Sequence, residues 1–420
     1  MSIVVICHMD EQTTLARSIA ALREAHHLKL AAVSRKLPAS TVHAIESGAL
    51  VPAPRTLDLL TAAFHLPPGY FDRLSLAVNQ KPHQQQALVD RLLHGGVTPP
   101  AEIRQILMAV AAQPNLGTVS QSMVALLIAR TWLHEGETTT AIDRLQPLYD
   151  QTRTMRGSLR IDIVNSLARA YLLAHQPQQA LSPLLEVTSK RIQGRGRESA
   201  MYNLGLAWWT LGHYDAASNQ WQHTIDQASD SVLRAHAHMG LGNANLRRGQ
   251  FEEALAHYRD AYNGYRDVAS PSAVLALNNI TMCHIQAQEW DAARATLEAI
   301  PPDQHLSAAV QGQIWATRAE LARGLGQNAE ACHAIESAKT LIGDAPISSW
   351  FTIRFLEIEL SQNSVTDLAE DIEIQLSRVP DPFMVADLRV RLVQLALAAE
   401  CWDEAAREAT ALSHTLPIII

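Results

Sequence analysis

Aromatic side chains are scarce in this chain, at 5% of 420 residues, and charged ones reach only 18%. With 47% hydrophobic residues, so low a charge excludes a disordered chain and fits a well-packed helical protein. Cysteine is rarer still. Cys7, Cys283, Cys332 and Cys401 show no paired spacing, so neither a disulfide framework nor a zinc site is expected. Cys283-His284 and Cys332-His333 resemble ligand pairs, but adjacent residues diverge on a helix and a structural zinc needs about four convergent ligands. No metal and no cofactor are therefore expected. No apolar run approaches the roughly 18 residues of a membrane span. The apolar start Ile3-Val4-Val5-Ile6-Cys7 has no basic flank and is too short for a signal peptide, which makes a cytoplasmic protein the expectation. Met9, followed by Asp10-Glu11-Gln12, is a second candidate translation start.

Enzymatic patterns are missing as well. There is no H-E-x-x-H, no P-loop and no G-x-S-x-G. Gly240-Leu241-Gly242 has neither a third glycine nor a strand before it, and Glu252-Glu253 belongs to a solvated face. Nothing points to an enzyme. A general excess of basic charge is also lacking, since the formal net charge is −8. The distribution is uneven, however. Residues 15–75 hold seven Lys/Arg against four Asp/Glu, a net of +3 that leaves −11 for the remainder. A mildly basic head on an acidic body suits a phosphate-contacting module joined to a regulatory one.

What the chain has in abundance is a repeat. A turn position recurs at Gly136, His175, Gly212, Gly249, Gln288, Gly326, Asn363 and Glu400, at intervals of 37 to 39 residues. Five residues past each turn stand Ala141, Ala180, Ala217, Ala254, Ala293, Ala331, Leu368 and Ala405. Four residues further stand Leu145, Leu184, Trp221, Tyr258, Leu297, Ile335, Ile372 and Ala409. The small residue suits a close approach of two helices, and glycine at the turn suits a helix that ends in a left-handed conformation. The aromatic two after the turn (Tyr214, Phe251, Trp290, Trp402) fills the gap between hairpins, and Tyr214, Trp221, Tyr258 and Trp290 are expected in the core. This ladder resembles a tetratricopeptide array with repeats a few residues longer than usual. The resemblance implies an all-α, right-handed superhelical solenoid of about eight repeats over residues 119–416, with a groove lined by the first helix of each hairpin.

On that basis the groove positions include Asn165, Arg169, Tyr202, Asn203, Trp209, Asn243, Arg247, Asn278, Asn279, Met282, Gln313 and Arg323, with Asp162, His236, Met239, Thr317 and Glu320 beside them. An asparagine offers both a donor and an acceptor, so it can pair with both groups of an extended peptide backbone. The arginines suit carboxylates, including a peptide C-terminus. Trp209 and the methionines suit apolar side chains. Any single asparagine is equally at home solvated or bonded between repeats; the set on one face reads as a peptide site.

Ahead of the ladder, apolar residues recur at helical spacing: Leu15, Ile19, Leu22, Leu30, Val33, Leu37, Val42, Ile45, Leu57, Leu60 and Phe64. His26-His27, Pro38, Gly48 and Pro52/Pro54 divide them into short helices. Ile45-Glu46-Ser47-Gly48, then Pro52 and Thr56-Leu57-Asp58-Leu59-Leu60, resemble the close of the recognition helix in phage-repressor-like (Cro/C1, XRE-type) helix-turn-helix domains. The usual Ser-Gln opening is Lys29-Leu30 here, and the turn is shortened to Leu37-Pro38-Ala39-Ser40. The resemblance places Ser40, Thr41 and His43 toward bases and Arg23, Lys29, Arg35, Lys36 and Arg55 toward phosphates. No Arg, Gln or Asn stands in the base-reading stretch, so DNA contact is better supported than sequence specificity.

The expected organisation is a leader over residues 1–14, a DNA-binding domain over 15–75, a helical connector over 76–118 interrupted by Lys81-Pro82-His83 and Pro99-Pro100, and the repeats. Head plus array resembles cytoplasmic peptide-pheromone receptors of the Rgg–PlcR–PrgX type. That resemblance implies a homodimeric quorum-sensing transcription regulator with double-stranded DNA and a short peptide as partners, and no membrane. The alternative is a protein–protein adaptor that docks a partner protein in the groove and keeps the head as a vestigial or dimerising domain.

Overall fold

A computed structural model describes residues 11–25, 29, 33, 37–47, 49–50, 52–64, 66, 69–78, 82–94, 98–112, 116–155, 157–189, 195–266, 271–301, 306–341, 347–361, 372–377 and 382–415. The expectations on Arg35, Lys36, Gly48, Asn363 and Leu368, and on the side chain of Trp402, lie outside the described residues. Among these residues the fold is all-helical, with no strand. Two compact units divide the chain at residues 1–176 and 177–420.

The first unit opens with four helices: α1 (Glu11–Ala25), α2 (Ala39–Glu46), α3 (Pro54–Ala63) and α4 (Tyr70–Val78). They share one core of Leu15, Ile19, Val33, Val42, Ile45, Leu57, Leu60, Phe64 and Phe71. Every buried member except Phe71 belongs to the apolar series read from the sequence. Two Arg23 nitrogens donate to the Glu46 carboxylate at 2.7 and 3.0 Å, a bidentate clamp from the end of α1 to the end of α2.

Next come α5 (Pro82–His94) and α6 (Pro100–Ala111), two short helices between the breaks at prolines. Pro82 and Pro100 open them, because proline at a first helical position loses only an amide that had no partner anyway. Val89, Leu92, Leu93, Ile103, Ile106, Leu107 and Val110 are buried, so the connector is a packed pair. It rests on α7 (Thr118–His134), which is followed by α8 (Thr138–Gln151) and α9 (Ser158–Leu173). Arg130 to Asp90 at 2.6 Å and Arg104 to Glu135 at 2.6 Å tie α5 and α6 to α7.

The second unit holds α10 (Pro177–Ser189), α11 (Arg195–Thr210), α12 (Tyr214–Gln227), α13 (Ser231–Arg247), α14 (Phe251–Arg266), α15 (Pro271–Gln286) and α16 (Trp290–Glu298). After these come α17 (Ala308–Gly324), α18 (Asn328–Leu341), α19 (Ile347–Ser361), α20 (Pro382–Ala398) and α21 (Trp402–Thr415). Helices α11 and α12, α13 and α14, α15 and α16, α17 and α18, and α20 and α21 pack as successive hairpins, the repeat arrangement of a solenoid.

The turn register holds at every described rung. Gly136, His175, Gly212, Gly249, Gln288, Gly326 and Glu400 all have positive φ, between 56° and 82°. Each helix closes with the same pair of bonds, such as Gly249 N–H to Leu246 O at 3.0 Å and Gln250 N–H to Asn245 O at 2.9 Å. The small-residue column is as consistent: Ala141, Ala180, Ala217, Ala254, Ala293 and Ala331 are fully buried. In the next column Trp221 and Tyr258 are buried, whereas Ala409 is exposed and Glu408 beside it is buried instead.

Trp221 explains the glycines of the middle repeats. A Cβ on Gly205 of α11 would stand 2.5 Å from its Nε1, and one on Gly240 of α13 would stand 2.5 Å from its Cδ2. Gly242 gives way to the Tyr258 ring in the same manner, at 2.5 Å. Large rings from second helices thus lie against the bare backbone of first helices. Tyr214 and Trp290, by contrast, are only half-buried.

Candidate functional site

In the second unit the first helices of neighbouring hairpins pack side by side, α11 with α13, α15 with α17, α17 with α19 and α19 with α20. Most of the side chains expected to line a groove belong to these first helices, and their surroundings differ from helix to helix. Around α11 and α13 they are aromatic and amide. Tyr202 lies beside His236, ring centroids 5.8 Å apart, and the Tyr265 hydroxyl meets His236 Nδ1 at 2.5 Å. Trp209 packs between Tyr214 at 4.7 Å and Trp221 at 5.8 Å. The Arg247 guanidinium stands over Tyr214 at 4.9 Å and Trp209 at 5.9 Å, within the reach of a cation–π contact. Trp209 and Arg247 are therefore brought together, with Tyr214 as a third member.

The asparagines divide. Asn243 accepts from the Tyr258 hydroxyl at 2.7 Å and from Asn279 Nδ2 at 3.4 Å, a link between α13 and α15. Asn203 and Asn279 are half-buried. Asn278 is buried, 5% exposed, with no partner for its Oδ1. Adjacent residues on a helix diverge, so Asn278 and Asn279 cannot both face one layer. Met282 packs against the core around Leu297 and Ile314. Gln313 is half-buried and Arg323 exposed. Asn165 and Arg169 belong to the first unit, the former half-buried and the latter exposed on α9.

Farther along, the layer becomes charged. Arg323 Nε is 3.3 Å from Glu359 Oε2, and Arg391 Nη2 is 3.6 Å from Glu359 Oε1. Glu320 is buried among them, 4% exposed, and its Oε2 has no partner. Burial pushes its carboxyl above the usual range, Arg391 and Arg323 pull it back, and Glu359 adds to the rise. Lys339 reaches Glu357 at 2.8 Å and Arg354 reaches it at 2.7 Å. Arg354 and Arg391 occupy the register of Asn203 and Asn279, nine residues before the turn. Carrying that register on through the last rungs would have found both.

A cavity of about 690 Å³ opens among α16, α17 and α18, lined by Leu297, Trp315, Leu321 and Leu325 with Arg318 and Glu330 at its polar margin. None of the expected groove residues lines it.

In the head, α2 buries Val42 and Ile45 and exposes Ser40 and His43, with Thr41 half-buried. Lys29 and Arg55 are exposed. Arg23 is committed to Glu46 and holds two helices together. Among the described residues no helix is long and apolar enough to cross a membrane.

A tetratricopeptide-repeat family model matches residues 245–314. No curated protein sequence matches the chain. Among solved structures, the apo form of RapI is 11% identical over 79% of this chain and 98% of its own, with a TM-score of 0.55. The Rap conjugation gene regulator of plasmid pLS20, solved in complex with the Phr* peptide, is 17% identical over 81% of this chain and 95% of its own, with a TM-score of 0.50. Bacillus thuringiensis PlcR, in complex with the peptide PapR7 and DNA, aligns at 14% identity over 70% of this chain and 100% of its own, with a TM-score of 0.30. The chain thus shares the helical-repeat fold of the Rap proteins, and no catalytic family is indicated.

Proposed function

We propose that this protein is a DNA-binding transcription regulator whose first-helix layer binds a short signalling peptide, and that the peptide modulates DNA binding. The observation that carries the reading is the pairing of Trp209 with Arg247 and of Asn243 with Asn279 across consecutive first helices, with a charged stretch at Arg323 and Arg391 farther along the array. Aromatic faces, an amide ladder and arginines are what an extended peptide with a terminal carboxylate needs. The pLS20 regulator, which shares the helical-repeat fold, forms a complex with the Phr* peptide. In the head, the exposed Ser40 and His43 of α2 reach bases, and Lys29 and Arg55 reach phosphates. The regulator works as a homodimer in the cytoplasm, and a peptide that prefers one arrangement of the array shifts the heads between binding and non-binding spacings.

The test is a gel-shift with DNA upstream of the protein's own gene, at several salt concentrations, with and without candidate peptides. Salt-sensitive retention that responds to a peptide, and loses that response in the double variant Asn203→Ala, Asn279→Ala, supports the reading. An unchanged response in the folded double variant refutes the assigned peptide site. A second reading, an adaptor with a dimerising head, draws on the engagement of Arg23 with Glu46, which takes one cation out of the DNA-contacting set. The adaptor shows no salt-sensitive retention.

A further inference from the structure

A polar cluster of the second unit stands apart from the groove residues. His238 of α13 and His257 of α14 bring their Nδ1 atoms to 3.0 Å. Asp260, one turn beyond His257 on the same helix, places Oδ2 3.8 Å from His238 Nδ1. One ligand atom from each of the three lies within 4.8 Å of the others. We propose that His238, His257 and Asp260 form a site for a divalent first-row transition metal, with zinc as the ion that suits it best.

Three observations converge on this site. The donor set of two imidazoles and one carboxylate is a familiar zinc set, which leaves a further coordination position for water or a ligand. The spacing fits too. Two nitrogens about 2.0–2.1 Å from a zinc ion at the tetrahedral angle stand roughly 3.3 Å apart, so the 3.0 Å pair needs a shift of only a few tenths of an ångström. The backbone is already in place, because the two helices form one tightly packed hairpin closed by the left-handed Gly249. His257 and Asp260 share a face of α14, and His238 comes from the opposite helix.

Without an ion the two imidazoles satisfy one another with a single shared proton, and only one ring nitrogen of the facing pair can carry it. Burial lowers the pKa of both rings, which keeps them in the neutral form a metal binds. The groups that act on the pair are Asp260, which favours a cation, and Arg234, which acts on His238 and opposes one. The Asp260 side chain is 59% exposed and His238 18%, so an ion has a route in from solvent. Spacing along the chain does not reveal the site, because the ligands sit on two helices and meet only through the hairpin.

The experiment uses the full chain, stripped with a chelator and dialysed, and titrated with Zn²⁺ in a calorimeter. The wild type is expected to take up one equivalent that His238→Gln, His257→Gln and Asp260→Asn each lose. The loss should exceed the roughly 10–100-fold drop that follows removal of a group merely supporting a ligand. That equivalent should also raise the melting temperature of the wild type and not of the variants, and Mg²⁺ should do neither. Circular dichroism checks that the variants fold, and the exposed position of Asp260 makes Asp260→Asn the safest. Co²⁺ gives a second reading, since imidazole-bound cobalt absorbs in the visible and the variants should lose the band. Zinc uptake by the wild type equal to that of all three variants, or no uptake at all, overturns the proposal.

Discussion

Gly240→Ala should destabilise this protein, although alanine is the better helix former. In an unobstructed helix interior the exchange would gain about 1 kcal/mol. Here the new Cβ would stand 2.5 Å from Cδ2 of Trp221 and 2.7 Å from Cε2 and Cε3. The indole has little room to retreat, because Gly205 of α11 already lies against it and the ring is 1% exposed. Forcing an extra carbon into such a place costs roughly 1–3 kcal/mol, so the net effect is a loss of up to about 2 kcal/mol once the propensity gain of about 1 kcal/mol is subtracted. The assay is urea denaturation followed by circular dichroism, run as a double-mutant cycle with Trp221→Leu. Leucine lacks the ring atoms that the new methyl meets, so in that background Gly240→Ala should be neutral or stabilising. A coupling of about 1–3 kcal/mol between the two sites follows. A higher urea midpoint for Gly240→Ala in the wild type, or an equal cost in both backgrounds, would refute the reasoning.

Three further outcomes are expected. Gln288 holds a left-handed conformation at φ 59°, a strain of about 1–2 kcal/mol for a residue with a side chain; Gln288→Gly should therefore raise the urea midpoint, whereas Gly249→Ala, with open space around its Cβ, should lower the stability by about 1 kcal/mol. Glu320 is held above its unfolded pKa by burial, so the stability it contributes is present in acid and lost as pH rises through the folded value; Glu320→Gln should stabilise the protein at pH 8 more than at pH 5, and an equal effect at both would count against the buried carboxyl. In DNA-binding titrations across salt, Arg55→Gln should reduce the slope of log K against log salt by about one, while Arg23→Gln should leave the slope unchanged.

Some features were legible in the sequence because they depend on one residue at a fixed distance from another. The turn position is the clearest: the spacing places it at His175, Gln288 and Glu400 without glycine to mark them, and all three are left-handed. Ending a helix is a local event, so spacing alone locates it. The head core was legible for the same reason, through helical periodicity. What the sequence hid depends on neighbours in space. Pro82 and Pro100 mark breaks between short helices, but spacing does not reveal that both helices pack on α7. Arg23 read as a free cation until Glu46 was seen opposite it. Asn278 and Asn279 read as a pair, yet only Asn279 reaches the asparagine of the adjacent first helix. The surroundings of Glu320 were hidden for the same reason, because Glu359 and Arg391, which act on it together with Arg323 of its own helix, come from α19 and α20.

The rings that sit on glycine have a mechanical consequence. Seams between hairpins are filled by Trp221 and Tyr258 in the middle rungs and by Leu184, Leu297 and Ile335 in others, so their stiffness is unequal. A wide flat indole wedged against backbone resists sliding in two directions, whereas an aliphatic chain can slip to another rotamer. Thermal bending of the second unit should concentrate at the aliphatic seams and leave α11 to α14 nearly rigid. Such a body presents a stiff plate where the aromatic and amide side chains gather, and a compliant end where the charged ones do.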